Sequence, residues 1–225
     1  METKRNRWQM LHAADVDPAL WDVPVPEGFR LARWADAAPE DLVAAFAAAR
    51  NAIADAPHGE SSYRPQDWTV ERVREVEADL REAGDDPRFV VAVHEATGAV
   101  AALTGMLLEP GRVDLCWQRD TAVVKSFRGR GLGRAVKAAM MRWLCAEIPD
   151  LGKVITNTAA DNTYMIRVNE QVGYVHYADI GIFEASVEQL AERLGAAPGK
   201  AIPGPRHASA TTSAPITAHA DEAPC

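Results

Sequence analysis

The chain has 225 residues, of which 48% are hydrophobic, and a formal net charge of −8 at pH 7. This apolar content is enough for an ordinary core, and no run approaches the roughly 18 apolar residues of a membrane-spanning helix. The acidic balance argues against nucleic acid as a partner, because phosphate contacts need clustered Lys and Arg. We therefore expect neither membrane nor nucleic-acid partners.

The three cysteines form no CxxC pair and have no metal-ligand spacing, so the sequence predicts no metal site. The basic segment 1–7 is not followed by the apolar region of a secretory signal. We therefore expect a cytoplasmic protein, in which Cys116 and Cys145 are small buried hydrophobic residues.

The first predicted elements follow a leader. Residues 1–28 have few helix or strand signals and contain three prolines. Phe29–Trp34 alternates apolar and basic residues, which predicts a half-buried strand. A helix is predicted from Pro39 to about Ala54, with acidic residues in its first turn. A second helix is predicted from Val70 to Ala83, with apolar residues on one face.

Three strands and a helix are predicted next. The segments Arg88–His94 and Ala99–Leu108 flank a turn at Thr97-Gly98, which indicates a β-hairpin. A longer strand is predicted over Val113–Val124. An apolar stripe then predicts a helix from Gly133 to about Glu147.

The remaining sequence predicts two strands, two helices and a tail. The elements are a strand over Lys153–Thr156, a helix from Asp161 or Asn162 to Val172, a strand over Tyr174–Glu184 and a helix over Ser186–Leu194. From Gly195 onward the composition changes to Ala, Pro, Ser, Thr and Gly without periodicity, which predicts disorder. The expected organisation is a leader over 1–28, a domain over 29–195 and a disordered tail over 196–225.

The most informative segment is the loop Arg128-Gly129-Arg130-Gly131-Leu132-Gly133, which joins a predicted strand to a predicted helix. Its glycines allow a sharp turn with exposed N–H groups, and the helix start adds unpaired amides and its dipole. Arg128, Arg130 and Arg134 add positive charge in an otherwise acidic chain. The pattern predicts a site for a phosphate or pyrophosphate. The alternative is a glycine-rich turn with solvated arginines.

Two other phosphate-binding loops do not fit this segment. A P-loop ends in Gly-Lys-Ser/Thr, whereas this loop continues as Gly133-Arg134-Ala135. A Rossmann turn opens a βαβ unit and is followed about 20 residues later by an acidic residue. The strands before this loop are instead predicted to be antiparallel, which does not suit a doubly wound sheet.

The segment Val123–Gly133 matches the signature V-x-x-x-x-R-G-x-G-x-G, and over roughly Phe29–Glu184 the chain resembles the GCN5-related N-acetyltransferase (GNAT) superfamily. Thr156–Tyr174 is similar to the next strand and helix of that fold, and ends in the N-E-x-x-G-[FY] form typical of actinobacterial members. The resemblance implies an α/β (α+β) fold with a mixed, largely antiparallel central sheet flanked by helices, present here as a single domain.

The resemblance also implies acetyl-CoA as the cosubstrate. The backbone of Val123, Val124 and Lys125 would hold the pantetheine arm and polarise the thioester carbonyl. Asn162 matches a position that often contacts the cofactor. The pyrophosphate would lie on the residues of the loop and helix start, namely Arg128, Gly129, Arg130, Gly131, Leu132, Gly133 and Arg134.

One position departs from the family pattern. Many members have a Tyr that protonates the departing thiolate, separated by three residues from the helix-ending Gly-aromatic pair, and this chain has Asn169 there. Asn cannot act as that acid, although it can donate a hydrogen bond to the sulfur. Tyr164 is a candidate substitute, although an aromatic residue on a helix more often belongs to the core.

An amine must be neutral to attack a thioester, so a general base is expected. Asp120 is the first candidate because it lies three residues before Val123. A structural carboxylate that bonds to a neighbouring strand is an equally good interpretation. His58 and Glu60 lie between two predicted helices, in a loop that borders the acceptor cleft of this fold, and are either amine-binding residues or ordinary loop residues.

The leading hypothesis is an acetyl-CoA-dependent N-acetyltransferase that acts on a small-molecule amine, such as an antibiotic or specialised metabolite. Transfer would be direct, in a ternary complex, because no Cys lies in a motif suited to a covalent acyl-enzyme. The alternatives are an acyl-CoA-binding module with little or no turnover and a protein or peptide N-acetyltransferase. An apolar stripe at Leu190 and Leu194 predicts packing, for instance in a homodimer.

Overall fold

The computed structural model describes residues 2–51, 67–112, 114–183, 185–186 and 189–190. These residues contain seven strands and four helices. The strands are β1 (Glu2–His12), β2 (Phe29–Ala35), β3 (Asp86–His94), β4 (Val100–Leu108), β5 (Leu115–Val123), β6 (Lys153–Ala159) and β7 (Val175–Phe183). The helices are α1 (Val43–Arg50), α2 (Val70–Ala83), α3 (Leu132–Glu147) and α4 (Thr163–Gln171).

The seven strands form one sheet in the order β2-β3-β4-β5-β6-β1-β7. Neighbouring strands are antiparallel except β5 and β6, which are parallel. Two antiparallel halves, β2-β3-β4-β5 and β6-β1-β7, therefore meet at one parallel pair. The mixed, largely antiparallel sheet expected from the sequence is confirmed.

Helices cover both faces of the sheet. Strand β3 shows the division, since Val90 packs in an apolar cluster with Val136 of α3. Its neighbour Val91 belongs to a second cluster with Phe46 of α1 and Val73 of α2. The central strand β4 is buried at nearly every position. A strand covered on both faces is expected to be largely apolar, and in this one Thr104 is the one polar side chain.

Local sequence determines where the helices begin and end. Helix α2 begins after Thr69, whose Oγ1 accepts a hydrogen bond from the Arg72 N–H at 3.2 Å. It ends at Gly84, which has a φ of 76° in the left-handed region. Helix α4 begins after Asn162, whose Oδ1 accepts from the Met165 N–H at 3.2 Å. Of these capping residues, Asn162 is one of the two helix starts predicted from the sequence.

The predicted leader over 1–28 needs correction, because Glu2–His12 forms strand β1 between β6 and β7. The first half of this strand is charged, so it lacks the apolar alternation that predicts a strand. Its side chains are fully buried only toward its end, at residues such as Gln9 and Leu11. The next segment is also packed. Trp21 is buried and its indole N–H donates to the Val172 carbonyl at 2.9 Å.

The contacts divide the chain into two units, Met1–Glu184 and Ala185–Cys225. In the second unit, the described residues show a helical turn in which the Leu190 N–H donates to the Ser186 carbonyl at 3.0 Å. The predicted tail over 196–225 lies outside the described residues and stays a prediction.

Candidate active site

The parallel strands β5 and β6 separate soon after they meet. They pair over Leu115–Trp117 and Lys153–Ile155 only, although β5 continues to Val123 and β6 to Ala159. Farther along, β5 remains paired with β4, and β6 remains paired with β1. Within the described residues, the two halves of the sheet thus part and leave backbone groups of β5 without a strand partner. Such an edge can pair with an extended ligand; we call it the β5–β6 opening.

The backbone at the end of β5 is divided between the sheet and this opening. The Val124 N–H donates to the Ala101 carbonyl of β4 at 2.9 Å, so this amide is bonded within the sheet. Because bonding directions alternate along an antiparallel pair, Val123 directs its N–H and carbonyl away from β4, toward the opening. Its carbonyl accepts from the Arg128 Nε at 3.1 Å. Lys125 begins a 3₁₀ turn beyond the strand.

The glycine loop adopts backbone conformations that require glycine. Gly129 and Gly131 have φ values of 77° and 80°, which side-chain-bearing residues rarely adopt. A Cβ on either residue would meet nothing within 4 Å, so the space beside the loop is open. The Ala135 N–H donates to the Gly131 carbonyl at 3.1 Å. The earlier amides of the helix start have no intrahelical acceptor.

Aromatic packing fixes the base of the loop. Phe127 packs edge-on against Phe29 of β2, with 5.8 Å between the ring centroids, and lies 5.1 Å from the His94 ring. The His94 Nδ1 is in turn 2.8 Å from the Thr97 Oγ1. The loop is therefore attached to the end of the β2–β3 pair.

Three cations surround the loop without acidic partners. Within the described residues, Lys125, Arg130 and Arg134 form no ion pair with a carboxylate. The Nε of Arg134 is buried and has no hydrogen-bond partner, an arrangement that costs roughly 1–3 kcal/mol. Unpaired amides and unpaired cations at a helix start are what an anionic phosphate group requires.

The first turn of α4 places Tyr164 in solvent. Its side chain is 55% exposed, so it is not the core aromatic that a helical position often indicates. Asn162 caps the same helix through its Oδ1, and this bond leaves its amide nitrogen free of the capping role.

Asn169, at the position of the family tyrosine, is fully buried. Its Nδ2 donates to the Gln9 Oε1 of β1 at 2.8 Å, and its backbone carbonyl accepts from the Tyr174 N–H at 3.1 Å. Asn169 therefore links α4 to β1, and its amide is directed at Gln9 instead of a ligand.

One carboxylate oxygen of Asp120 accepts a hydrogen bond from a neighbouring arginine, and the other has no partner among the described residues. Its side chain is 46% exposed, and its Oδ2 accepts from the Nη2 of Arg50 at 3.1 Å. The Arg50 guanidinium stacks on the Trp68 ring at 3.5 Å. Burial lowers the pKa of Arg50, and the Asp120 charge opposes that shift. The Asp120 Oδ1 has no protein partner within the described residues. We call Arg50, Trp68 and Asp120 the Arg50 cluster.

A β-bulge turns Asp120 out of the sheet. At the register shift between β4 and β5, Arg119 and Asp120 lie opposite the single residue Gly105. Both side chains are exposed although they are consecutive, which a regular strand does not allow. Bulges often redirect a side chain beside an active site.

Some residues of this region were not predicted as site residues from the sequence. Arg50 and Trp68 were not singled out. Behind the opening, Gln118 and Lys137 are both buried, and the Lys137 Nζ donates to the Gln118 Oε1 at 2.8 Å. The buried Tyr174 hydroxyl donates to the same oxygen at 3.3 Å.

The candidate acceptor residues His58 and Glu60 lie outside the described residues. In the part of the chain that the structure describes, no group of three or more His, Cys, Asp or Glu could hold a metal ion. No helix among these residues is long and apolar enough to cross a membrane.

A shallow depression of about 300 Å³ lies elsewhere on the domain. It is lined by Leu31, Ala32, Arg33, Val90, Ala139, Arg142 and Trp143. None of these residues belongs to the glycine loop or to β5. We therefore do not assign the depression to the site.

A sheet that parts between two parallel strands, beside a cation-bearing glycine loop at a helix start, has the geometry that an extended, phosphate-containing ligand requires. The model of the acetyltransferase (GNAT) family matches residues 53–174, more than half of the chain. The chain belongs to this family of acyl-transferring enzymes. A search of curated proteins finds no match.

Solved structures of other proteins share this fold. A tandem GNAT protein from the clavulanic acid biosynthesis pathway aligns with a TM-score of 0.65 and 24% identity, covering 83% of this chain and 56% of its own. A GCN5-related N-acetyltransferase from Sphaerobacter thermophilus aligns with a TM-score of 0.58 and 16% identity, covering 80% and 51%. The chain thus spans about half the length of these proteins.

Proposed function

We propose that the chain is an N-acetyltransferase that takes an acetyl group from acetyl-CoA and transfers it to a small-molecule amine in a ternary complex. The observation that carries this proposal is the β5–β6 opening beside a glycine loop, where Lys125, Arg130 and Arg134 lack carboxylate partners among the described residues. Family membership supports acyl transfer from acetyl-CoA in general.

The residues around the opening fit the two ends of acetyl-CoA. The amides of Gly129–Gly133, with Arg130 and Arg134, would bind the pyrophosphate through charge-assisted hydrogen bonds. The Val123 N–H, which faces the opening, would donate to the thioester carbonyl. This donation stabilises the negative charge that develops on that oxygen during attack.

Asp120 and Tyr164 are the proposed base and acid. The bulge turns Asp120 outward with a free Oδ1, so that it can accept the amine proton directly or through water. The exposed Tyr164 hydroxyl would return a proton to the departing thiolate. Arg50 holds the other Asp120 oxygen in place. Asn169 is not proposed as the acid, because its amide bonds to Gln9 in the core.

Direct transfer is favoured by the environment of the two cysteines that the structure describes. Cys116 is fully buried, and burial raises the pKa of its thiol to about 12. Burial also raises the pKa of Cys145. Since the thiolate is the nucleophilic form, neither residue is suited to accept an acetyl group before the amine does.

The proposal is tested by incubating the protein with acetyl-CoA and a panel of amines, and by following free thiol and the masses of the products. The panel includes amino-group antibiotics and specialised metabolites, since one protein of similar fold comes from the clavulanic acid biosynthesis pathway. We expect thiol release that depends on one class of small amine, with a product heavier by one acetyl group.

Two results would lead to other functions. Acetyl-CoA binding without thiol release for any amine or peptide would identify a binding module. Thiol release with peptides but with no small amine would identify a peptide N-acetyltransferase. Absence of acetyl-CoA binding would contradict the proposal altogether.

A further inference from the structure

Lys137 is a buried amine that bonds to β5, one of the two strands that part at the β5–β6 opening. It lies on α3, in the second turn after the glycine loop, and is 1% exposed. Its Nζ donates to the Gln118 Oε1 at 2.8 Å and lies 5.1 Å from the centre of the Tyr174 ring. Among the described residues it has no carboxylate partner.

Gln118 connects Lys137 to the bulge of β5 through further hydrogen bonds. Its Nε2 donates to the Gly105 carbonyl and to the Thr104 Oγ1, each at 2.8 Å. The Thr104 Oγ1 in turn lies 2.8 Å from the Thr121 Oγ1 on the far side of the bulge. Gly105 is the residue opposite the bulge. Gln118 therefore supplies a partner to a carbonyl at the point where the regular ladder is interrupted.

The same position is where β5 leaves β6. Their last paired residues are Trp117 and Ile155, and Gln118 follows immediately. A change in the Gln118 side chain would therefore alter the bulge, the direction of Asp120 and the backbone that leads to Val123. These are the groups that the proposed reaction uses.

A lysine is an unfavourable choice for packing alone at this position. Burial lowers the pKa of Lys137 to about 7, with no opposing contribution from an acidic group. Tyr174 beside it and Cys116 in the same core cluster as Tyr174 are titratable, and burial raises the pKa of both. Neither supplies negative charge at neutral pH. A Met side chain would fill similar volume without this cost.

We propose that Lys137 is a positioning residue of the active site, which acts through Gln118 to fix the bulge at which β5 separates from β6. The inference rests on the proposed acetyl transfer, because its purpose is to orient Asp120 and the Val123 N–H. Lys137 itself does not contact the substrates.

The variants Lys137→Met and Gln118→Leu test this role, with Arg142→Met as a control that removes a charge from an exposed position of the same helix. Thermal unfolding, amide hydrogen exchange of residues 118–123, and KM and kcat are measured for each variant. We expect Lys137→Met to keep or raise the Tm, to exchange faster over 118–123, and to lose at least about tenfold in kcat.

The coupling between the two residues gives a second criterion. The double variant should be little slower than either single variant, because both changes break the same connection. Lys137→Gln, which retains an uncharged donor, should recover part of the kcat. It also serves as the test variant if Lys137→Met does not fold.

Two outcomes would overturn the inference. One is unchanged exchange over 118–123 together with wild-type kinetics. The other is a lower Tm with normal kcat for the folded protein, which indicates a packing role only. Hydrogen exchange can be measured without an amine substrate, so it tests the inference even if the wild-type protein acetylates no amine. That second result would refute the proposed function separately.

Discussion

The glycine loop and the Arg50 cluster hold positive charge in opposite ways. In the Arg50 cluster the guanidinium is stacked on Trp68 and paired with Asp120. In the loop, Arg130 and Arg134 have no carboxylate partner among the described residues, and the Arg134 Nε has no acceptor. The paired cation stabilises the protein, whereas we propose that the cations without a carboxylate partner bind a ligand.

The backbone shows the same difference. The loop glycines leave open space and unbonded amides. By contrast, Asn51 at the end of α1 bonds to both the N–H and the carbonyl of Trp68, at 2.8 and 3.2 Å. Unsatisfied groups therefore mark the proposed binding region, and satisfied groups mark its support. The following predictions test this division.

The largest effect is expected for Gly131→Leu. A side chain at a φ of 80° would strain the turn and occupy the space beside the loop. We expect acetyl-CoA affinity to fall by more than about a thousandfold, as measured by isothermal titration calorimetry.

Gly98→Leu is the matched control for this change. Gly98 also has a positive φ, 71°, and open surroundings, but lies in the β3–β4 turn. It should show similar loss of Tm and normal acetyl-CoA affinity. Wild-type affinity in soluble Gly131→Leu protein would refute the loop as the binding site.

The double variant Arg130→Ala/Arg134→Ala tests the unpaired cations. We expect acetyl-CoA affinity to fall about a hundredfold, while pantetheine, which lacks the pyrophosphate, binds as weakly as it does to the wild type. Arg142→Ala, on the exposed side of the same helix, should have no effect. Equal losses for both ligands would show that the arginines support the fold instead of the phosphates.

Lys137 sharpens the comparison, because it is a fully buried amine without a carboxylate partner among the described residues. Its pKa is about 7 when folded and 10.5 ordinarily, so between these values the unfolded chain holds a proton that the folded chain lacks. Stability should therefore rise with pH above 7 and be lost as pH falls toward 7. The stability advantage of Lys137→Met should shrink by roughly 2 kcal/mol between pH 7 and 9, as measured by urea denaturation. A constant difference across that range would contradict the lowered pKa.

The smallest effect is expected for Asp120→Asn, in the paired region. Loss of the carboxylate should reduce the free energy of unfolding by about 1 kcal/mol, because Arg50 stays buried without its partner. Asp36→Asn, which breaks an exposed ion pair with Arg81, should change it by less than about 0.5 kcal/mol.

The same Asp120→Asn variant tests catalysis. If Asp120 is the base, the rate should fall most at low pH, where neutral amine is scarce. A pH–rate profile identical in shape and height to that of the wild type would leave Asp120 with a structural role only.

Local patterns were sufficient for most elements of this fold. The bounds of α2 and the start of the glycine-loop helix follow from capping and apolar periodicity, which depend on neighbouring residues. Strand β1 could not be predicted in this way. Its basic first half is accommodated by pairing with β6 and β7, more than 140 residues away in sequence, and long-range pairing leaves little local signal.

The candidate site could be predicted from the sequence only in the part that consists of consecutive residues. The loop residues are contiguous, so the motif indicated them. Lys137 belongs to the apolar face of α3, four residues after Gly133 and three before Met140, and that position was the one signal of its burial. Nothing local indicates that Gln118 faces it, or that Asn169 bonds to Gln9 across the fold.

The most direct test of the account is a crystal structure of the protein with coenzyme A. We expect the pyrophosphate on the amides of Gly129–Gly133, with Arg130 and Arg134 in contact, and the pantetheine arm in the β5–β6 opening beside Val123. Coenzyme A bound in the depression beside Trp143, or anywhere else away from β5, would contradict the central claim.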